Sequence, residues 1–464
     1  MLLDSDRVVQ VCARRFNGTL LRICDQIAVA AIDLLPNIEN GLSSLAWDDH
    51  AVCAALGACS SPCCNTRTGP EQRHLALTRR PAEMVVVWVT LEPTATHTVQ
   101  WGPTRTLGEE SNGRNTTYAW FGWQGEIHTA TMTGLDPAVT YYYRVGDAAG
   151  GWSTVESFKT LASSAGGATP MRIGWIADMG WGNHSDGTIA QLTQLAATGM
   201  IDLLIHPGDI SYADGNMVEW DNFLRKIEPI TAKVPYLVSP GNHEFWFNFS
   251  AYKHRFAMAD DGAHQSMYYS LDIGDVHLLA TNTESIEDRS YVSDAQVGWI
   301  RADLAAATAA SRPWTVVYGH RPLYTAAAHG QDIPRGPAYL RDKLELVYVE
   351  GGVDIVVQGH VHDYQRSWPL LAGQPTALNY SNPISPVYVV NGAAGNRENN
   401  DHVPGGLPWE PPADPVAGQM PSSSEISYGV MTVRTGSLVW EQFYSANGTR
   451  FDYFEITKQS RPSR

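Results

Sequence analysis

Five times in the middle of this chain, an apolar run of strand length breaks off into a short polar, glycine-containing block. The blocks are Asp178-Met179-Gly180, Gly208-Asp209-Ile210-Ser211-Tyr212, Gly241-Asn242-His243-Glu244, Val317-Tyr318-Gly319-His320 and Gly359-His360-Val361-His362. Strand-like runs at Ile173–Ala177, Ile201–His206, Tyr236–Ser239, Val276–Thr281, Thr315–Tyr318 and Ile355–Gln358 alternate with helical patterns. The helical patterns are Gly187–Thr198, Met217–Ile230, Asp294–Ala310 and Pro337–Val349. This alternation predicts α/β layers with crossover connections. In open α/β sheets, functional groups collect outside the carboxyl ends of the strands. Blocks far apart in sequence can therefore converge there.

The residue types point to metal ions. Asp178, Asp209, Tyr212, Asn242, His320, His360 and His362 supply oxygen and nitrogen donors for two cations side by side. One carboxylate can bridge two ions through its two oxygens. Asp209 and Tyr212, three residues apart, can both be aimed inward by one tight turn. A phenolate favours a trivalent ion, and the neutral amide oxygen of Asn242 suits a divalent one. His360 and His362 lie on one side of an extended segment and can each reach a different metal. Mixed nitrogen and oxygen donors without sulfur suit Fe, Zn or Mn. Each block alone is common in structural roles; the ordered set is not. Two adjacent cations clamp phosphate and generate hydroxide at mild pH, so the first reading is metal-assisted phosphate ester hydrolysis.

The flanking regions differ in kind. All six cysteines lie in the first 64 residues (Cys12, Cys24, Cys53, Cys59, Cys63 and Cys64), which excludes thiol catalysis in the main body. A confined cysteine cluster reads as a local disulfide framework. Together with N-x-S/T sequons at Asn17, Asn115, Asn183, Asn248, Asn379 and Asn447, it favours a glycoprotein of the secretory pathway. No signal peptide is visible, so the expectation is a secreted or lysosomal/vesicular protein with an incomplete N-terminus. A net charge of −16 disfavours a nucleic-acid partner. Residues 8–60 carry helical periodicity, and 61–74 are rich in Ser, Pro, Gly and Thr. Short strands at Met84–Val89, His97–Trp101, Glu126–Met132 and Thr140–Val145 predict a β-sandwich. The chain turns β-like again after Pro386, with Asn391–Ser427 expected as a long surface loop.

Three resemblances follow. Gly134-Leu135-Asp136-Pro137 before Tyr141-Tyr142-Tyr143-Arg144-Val145 resembles a fibronectin type III-like module. The Cys12/Cys24 spacing with Cys53-Ala-Ala-Leu-Gly-Ala-Cys59 resembles the C-terminal half of a saposin-type domain. The five blocks, with flanking Ser211-Tyr212-Ala213-Asp214-Gly215 and His362-Asp363-Tyr364-Gln365-Arg366, resemble the purple acid phosphatases within the calcineurin-like metallophosphoesterases. Most relatives place a His two positions after the first Asp; here Gly180 stands there and Tyr212 comes later. The expected fold class is thus α+β for the whole chain, with an α/β catalytic part. It comprises a partial saposin-like helical segment (1–62), a linker (63–74) and a fibronectin type III-like sandwich (75–162). A four-layer αββα metallophosphoesterase domain (170–460), including the C-terminal β region, completes it.

The phosphatase resemblance implies that Asp178, Asp209, Tyr212 and His362 bind Fe(III). It implies that Asp209, Asn242, His320 and His360 bind a divalent metal (Zn, Mn or Fe). It further implies that His243 contacts the phosphate and His329 protonates the leaving alkoxide. Glu244 is expected to orient His243 or to serve the local structure. The expected reaction is hydrolysis of phosphate monoesters by metal-held hydroxide. The runner-up is a phosphodiesterase on nucleotides or lipid head groups, since acid sphingomyelinases also join a saposin-type domain to a metallophosphoesterase. Gly180, Tyr212 and the interposed sandwich weigh against it. A non-enzymatic lipid- or glycan-binding protein on the same scaffold is the third reading, weakened by the complete ligand set. Lipid contact through the N-terminal segment and a homodimer are left open as partners.

Overall fold

The computed structural model describes residues 68–162, 170–259, 262–284, 291–327, 337–402, 410–413 and 420–459. The expected partial saposin-type segment, all six cysteines and His329 lie outside the described residues.

Strand Met84–Thr90 is buried at every position, as its unbroken Val run predicts. It pairs antiparallel with Glu71–Leu77 and Glu126–Met132, and Arg114–Thr116 completes a four-stranded sheet. A second sheet is built on Thr98–Gly102 and Thr140–Asp147. The sandwich begins earlier than expected, because strand Glu71–Leu77 starts inside the stretch read as linker. This strand also joins the sandwich to the catalytic part. Glu71 pairs with Arg225 at 2.6 Å, Arg73 pairs with Glu228, and Thr231 Oγ1 donates to the Arg73 carbonyl at 2.9 Å. Beside it Arg255, fully buried, donates to Asp221 at 2.7 Å, Gln72 at 2.8 Å and Tyr118 at 2.7 Å.

The catalytic part holds two mixed sheets. In the first, Tyr236–Ser239, Leu203–Pro207 and Met171–Trp175 run parallel, followed by antiparallel Ser427–Arg434, Ser437–Tyr444 and Arg450–Thr457. In the second, Val276–Ala280, Trp314–Gly319, Ile355–Gln358 and Val387–Asn391 run parallel, flanked by antiparallel Tyr269–Ile273 and Tyr364–Leu371. The two-residue strand period sorts the core. Val316 and Tyr318 face the first sheet, where Tyr318 meets Trp175 edge-on at 5.8 Å. Val317 faces the other way, toward Ile300 and Leu304 of helix Asp294–Ala309 and Leu340 and Leu344 of helix Pro337–Glu350. On the first sheet, His206 faces Phe223 of helix Met217–Thr231. The result is a layered α/β/β/α arrangement.

The elements with plain apolar runs lie where expected, within two residues. Several others did not announce themselves, among them strands Glu71–Leu77, Tyr269–Ile273 and Tyr364–Leu371 and the helical segment Trp246–Arg255. Strand Tyr364–Leu371 carries Arg366, buried in a bidentate pair with Asp452 (2.7 and 2.8 Å), which breaks its apolar alternation. The helical segment Trp246–Arg255 is interrupted by left-handed Phe247, Asn248 and Phe249. Asn391–Ser427 is not simply a surface loop: residues 391–396 are buried, packed beneath the site.

Candidate metal centre

The carboxyl ends of the parallel strands in both sheets meet, and all five blocks are drawn together there. Asp178 follows strand Met171–Trp175, Asp209 and Tyr212 follow Leu203–Pro207, and Asn242 follows Tyr236–Ser239. His320 follows Trp314–Gly319, and His360 and His362 follow Ile355–Gln358. Asp178, Asp209, Tyr212 and His360 all take left-handed backbone conformations, with φ of 57°, 48°, 55° and 69°. Non-glycine residues adopt these only where the surroundings enforce them, and such strain gathers at functional sites. Two glycines make the approach possible. A Cβ on Gly241 would strike the Asp209 carboxylate and amide, and one on Gly359 would strike Asp178 Oδ2.

The donors fall into two buried groups that share Asp209. Ligand atoms of Asp178, Asp209 and His362 lie within 4.8 Å of one another, and so do those of Asp209, His320 and His360. Tyr212 joins the first group, its hydroxyl 3.0 Å from His362 Nε2 and 3.4 Å from Asp178 Oδ1. Asn242 joins the second, its Oδ1 3.0 Å from His320 Nε2, which is also 3.0 Å from Asp209 Oδ2.

Backbone carbonyls set the histidine tautomers. His320 Nδ1 lies 3.1 Å from the Pro207 carbonyl and His362 Nδ1 lies 3.0 Å from the Asn399 carbonyl. A carbonyl only accepts, so each Nδ1 carries a proton, which leaves Nε2 as the atom that would ligate a cation. Behind His360, Arg321 Nη1 approaches Nε2 at 2.9 Å while its Nε pairs with buried Glu284 at 2.9 Å.

The electrostatics fit cations. Burial and the neighbouring Asp209 push the Asp178 carboxyl well above its usual range. Burial, then Asp178, pushes the Tyr212 phenol well up. Burial opposes ionisation of Asp209 too, yet His320 and His243 hold it well below the usual carboxylate value. Acidic groups buried this closely repel one another when ionised, and a bound cation removes that penalty.

His243 sits over this cluster. Its amide donates to Asp209 Oδ1 at 2.9 Å, and its Nδ1 bonds Asp214 Oδ1 at 2.6 Å. Its Nε2 faces Asp209 Oδ2 at 3.8 Å and Glu398 Oε1 at 3.5 Å. Burial works against a charged ring, but Asp209, Asp214 and Glu398 outweigh it and push its pKa up to about 10. Glu244 is not the partner of His243. Its carboxylate accepts from the amides of Asp209 (2.8 Å), Ile210 (3.0 Å) and Gly241 (2.8 Å), fixing the turn that carries Asp209. The orienting group is Asp214, which also pairs with Arg397. Asp214 stands in the Ser211–Gly215 block, so its position was visible in the sequence though its role was not. Arg397, Glu398, Asn399 and Asp401, whose Oδ2 accepts from the His362 amide at 2.8 Å, come from the stretch expected as a surface loop.

Three family profiles cover most of the chain. Residues 70–160 match the purple acid phosphatase N-terminal domain, 171–364 match calcineurin-like phosphoesterase, and 385–453 match the iron/zinc purple acid phosphatase-like protein C-terminal region. Acid phosphatase type 7 of Homo sapiens is 34% identical over 352 residues, covering 71% of this chain and 78% of that protein. The chain belongs to the purple acid phosphatase family. Purple acid phosphatase 22 of Arabidopsis thaliana is 32% identical over 346 residues, covering 72% of this chain and 74% of that one. A purple acid phosphatase from yellow lupin (Lupinus luteus) seeds shares the fold with a TM-score of 0.73, at 24% identity, over 85% of this chain and 75% of that one. This phosphatase is therefore a hydrolase, and its buried donor cluster is consistent with the binuclear metal centre of its family. Among the described residues, no helix is long and apolar enough to cross a membrane.

Proposed function

We propose that this phosphatase hydrolyses phosphate monoesters at an Fe(III)–M(II) centre. Fe(III) would be held by Asp178, Asp209, Tyr212 and His362, and a divalent metal (Zn, Mn or Fe) by Asp209, Asn242, His320 and His360. The observation that carries this reading is the pair of buried donor groups sharing one carboxylate, Asp209, with Tyr212 beside one and Asn242 beside the other. Bound together, two such cations would polarise the phosphate and activate water at mild pH. The chain's own residues do the rest. His243, fixed through Nδ1 by Asp214, presents Nε2 to the phosphate and can stabilise its charge or donate a proton. Glu244 holds the Asp209 turn, and Asn399 and Pro207 keep the two histidines in ligating tautomers. His329, outside the described residues, is the candidate donor to the leaving oxygen.

A secretory or lysosomal setting and glycosylation belong to the same proposal. The five sequon asparagines among the described residues, Asn115, Asn183, Asn248, Asn379 and Asn447, are all exposed. The test of function compares turnover of an aryl phosphate monoester, a nucleotide diester and sphingomyelin by the iron-replete protein. Preferred monoester turnover at acidic pH, with two metals per chain, is expected. Absence of monoester turnover overturns the reading.

A further inference from the structure

The sandwich carries a second set of donors that the phosphatase chemistry does not use. His97 immediately precedes strand Thr98–Gly102 of one sheet, whereas Glu126 and His128 lie on strand Glu126–Met132 of the other. Glu126 and His128 are two residues apart, so the pleat turns both to one face. His97 Nδ1 lies 2.9 Å from His128 Nδ1. One ligand atom from each of His97, Glu126 and His128 lies within 4.8 Å of the others.

The surroundings prepare His128 as a ligand. One face of its ring lies against Trp88 (5.1 Å, 20°), while His97 approaches its edge, with ring centroids 5.0 Å apart. Thr90 Oγ1 directs its one hydrogen to the Glu92 carbonyl at 2.8 Å, so it accepts from His128 Nε2 at 2.8 Å. With the proton on Nε2, the lone pair sits on Nδ1 and faces His97, the arrangement by which an outer partner orients a metal-binding imidazole. His128 is fully buried, and that burial keeps the ring uncharged. The segment bearing His97 is also pinned. Ala95 and Thr96 amides donate to Asp147 Oδ2 at 3.0 and 3.1 Å, and the His97 amide donates to Asn112 Oδ1 at 3.0 Å. His97 and Glu126 are both partly exposed, which leaves a path for an ion and room for water.

We propose that His97, Glu126 and His128 form a divalent-cation site, separate from the phosphatase centre, that ties the two sheets of the sandwich together. Two imidazole nitrogens, one carboxylate oxygen and a fourth position open to solvent fit zinc best. The cation takes the place of the proton held between the two Nδ1 atoms, and that proton moves to His97 Nε2. Zn–N bonds of about 2.0–2.1 Å at a tetrahedral angle require the two nitrogens to part by roughly 0.4 Å. The partly exposed His97 can supply that movement.

The test is metal content of the whole holoenzyme after equilibration with zinc and removal of loosely held ions. Wild type is expected to carry one zinc per chain more than His97→Gln, and more than Glu126→Gln, with iron content and monoester turnover equal in all three. Cobalt(II) added to holoenzyme with a filled phosphatase centre should give tetrahedral ligand-field absorption in wild type and none in His97→Gln. Equal zinc in wild type and both variants, or a cobalt spectrum indifferent to His97→Gln, overturns the proposal. The readout is a difference between folded variants with surface substitutions. Failure of the phosphatase reading would change turnover and iron but leave that one-zinc difference intact.

Discussion

Asp214→Asn isolates what the carboxylate beneath His243 contributes. Asp214 Oδ1 lies 2.6 Å from His243 Nδ1, slightly shorter than the about 2.7–2.9 Å usual for charge-assisted N–H···O bonds, and the two side chains are only 17% and 15% exposed. A hydrogen bond to a charged partner is worth about 1.5–3 kcal/mol. If His243 uses its fixed, proton-bearing ring mainly on the phosphate as charge develops, removing that bond lowers kcat/KM by roughly ten- to a hundredfold. Asp214 bonds none of the proposed metal ligands of either group, its partners being His243, Trp246 and Arg397, so iron and divalent metal should stay at wild-type levels. The decisive assay is a double-mutant cycle on monoester turnover. In a His243→Asn background, Asp214→Asn should cost less than about twofold, because the group it orients is gone. Equal losses in both backgrounds would refute the argument, and so would loss of metal in the single variant. Either result would move Asp214 from positioning His243 to building the loop or pairing with Arg397.

Four further outcomes can be checked. Tyr212→Phe should abolish visible absorption while most iron is retained, measured by metal analysis beside the spectrum; colour surviving in the variant would remove the phenolate from the iron. Glu244→Gln weakens the acceptor of three amides and should reduce metal affinity about 10–100-fold, read by competition with a chelator. Arg255→Met leaves Asp221 buried without its cation at the seam between sandwich and catalytic part, and should destabilise by about 3–5 kcal/mol in denaturant unfolding. His277 bridges Asp272 and Asp303 at 2.8 Å each; burial opposes its charge, but the two carboxylates raise its pKa to about 9, above the usual 6.5. A raised folded-state pKa means the contribution is fully present below about pH 6.5 and is lost as pH rises through about 9. It amounts to at most about 3 kcal/mol, reduced by solvent at the partly exposed Asp272. His277→Gln should flatten the stability profile across that window.

The parts of the molecule legible in the sequence are those set by local pattern. Strands such as Ile355–Gln358 and Trp314–Gly319 are short apolar runs ending in glycine-containing blocks, and their ends mark where donors emerge. The seven candidate ligands could be picked out because each stands in a block that closes such a run. What stayed hidden depends on pairing over long sequence distances. Asp214 reads as one more acidic residue until its left-handed backbone, φ 47°, turns it onto His243. Glu398 reaches the same histidine from more than 150 residues away, out of a stretch whose Asn, Gly and Pro content signals only irregular chain. Strand Tyr364–Leu371 was masked because Arg366 and Asp452 neutralise each other in the interior, which a hydropathy pattern scores as two exposed positions. The His97, Glu126 and His128 cluster follows the same logic. His97 and His128 stand 31 positions apart, a spacing that matches no metal-binding motif, and they meet only because the two sheets of the sandwich close on each other. A donor set assembled from opposite sheets adds a cross-link that neither sheet can make alone. Removing it should therefore loosen the sandwich while leaving the phosphatase centre, built on different strands, unchanged.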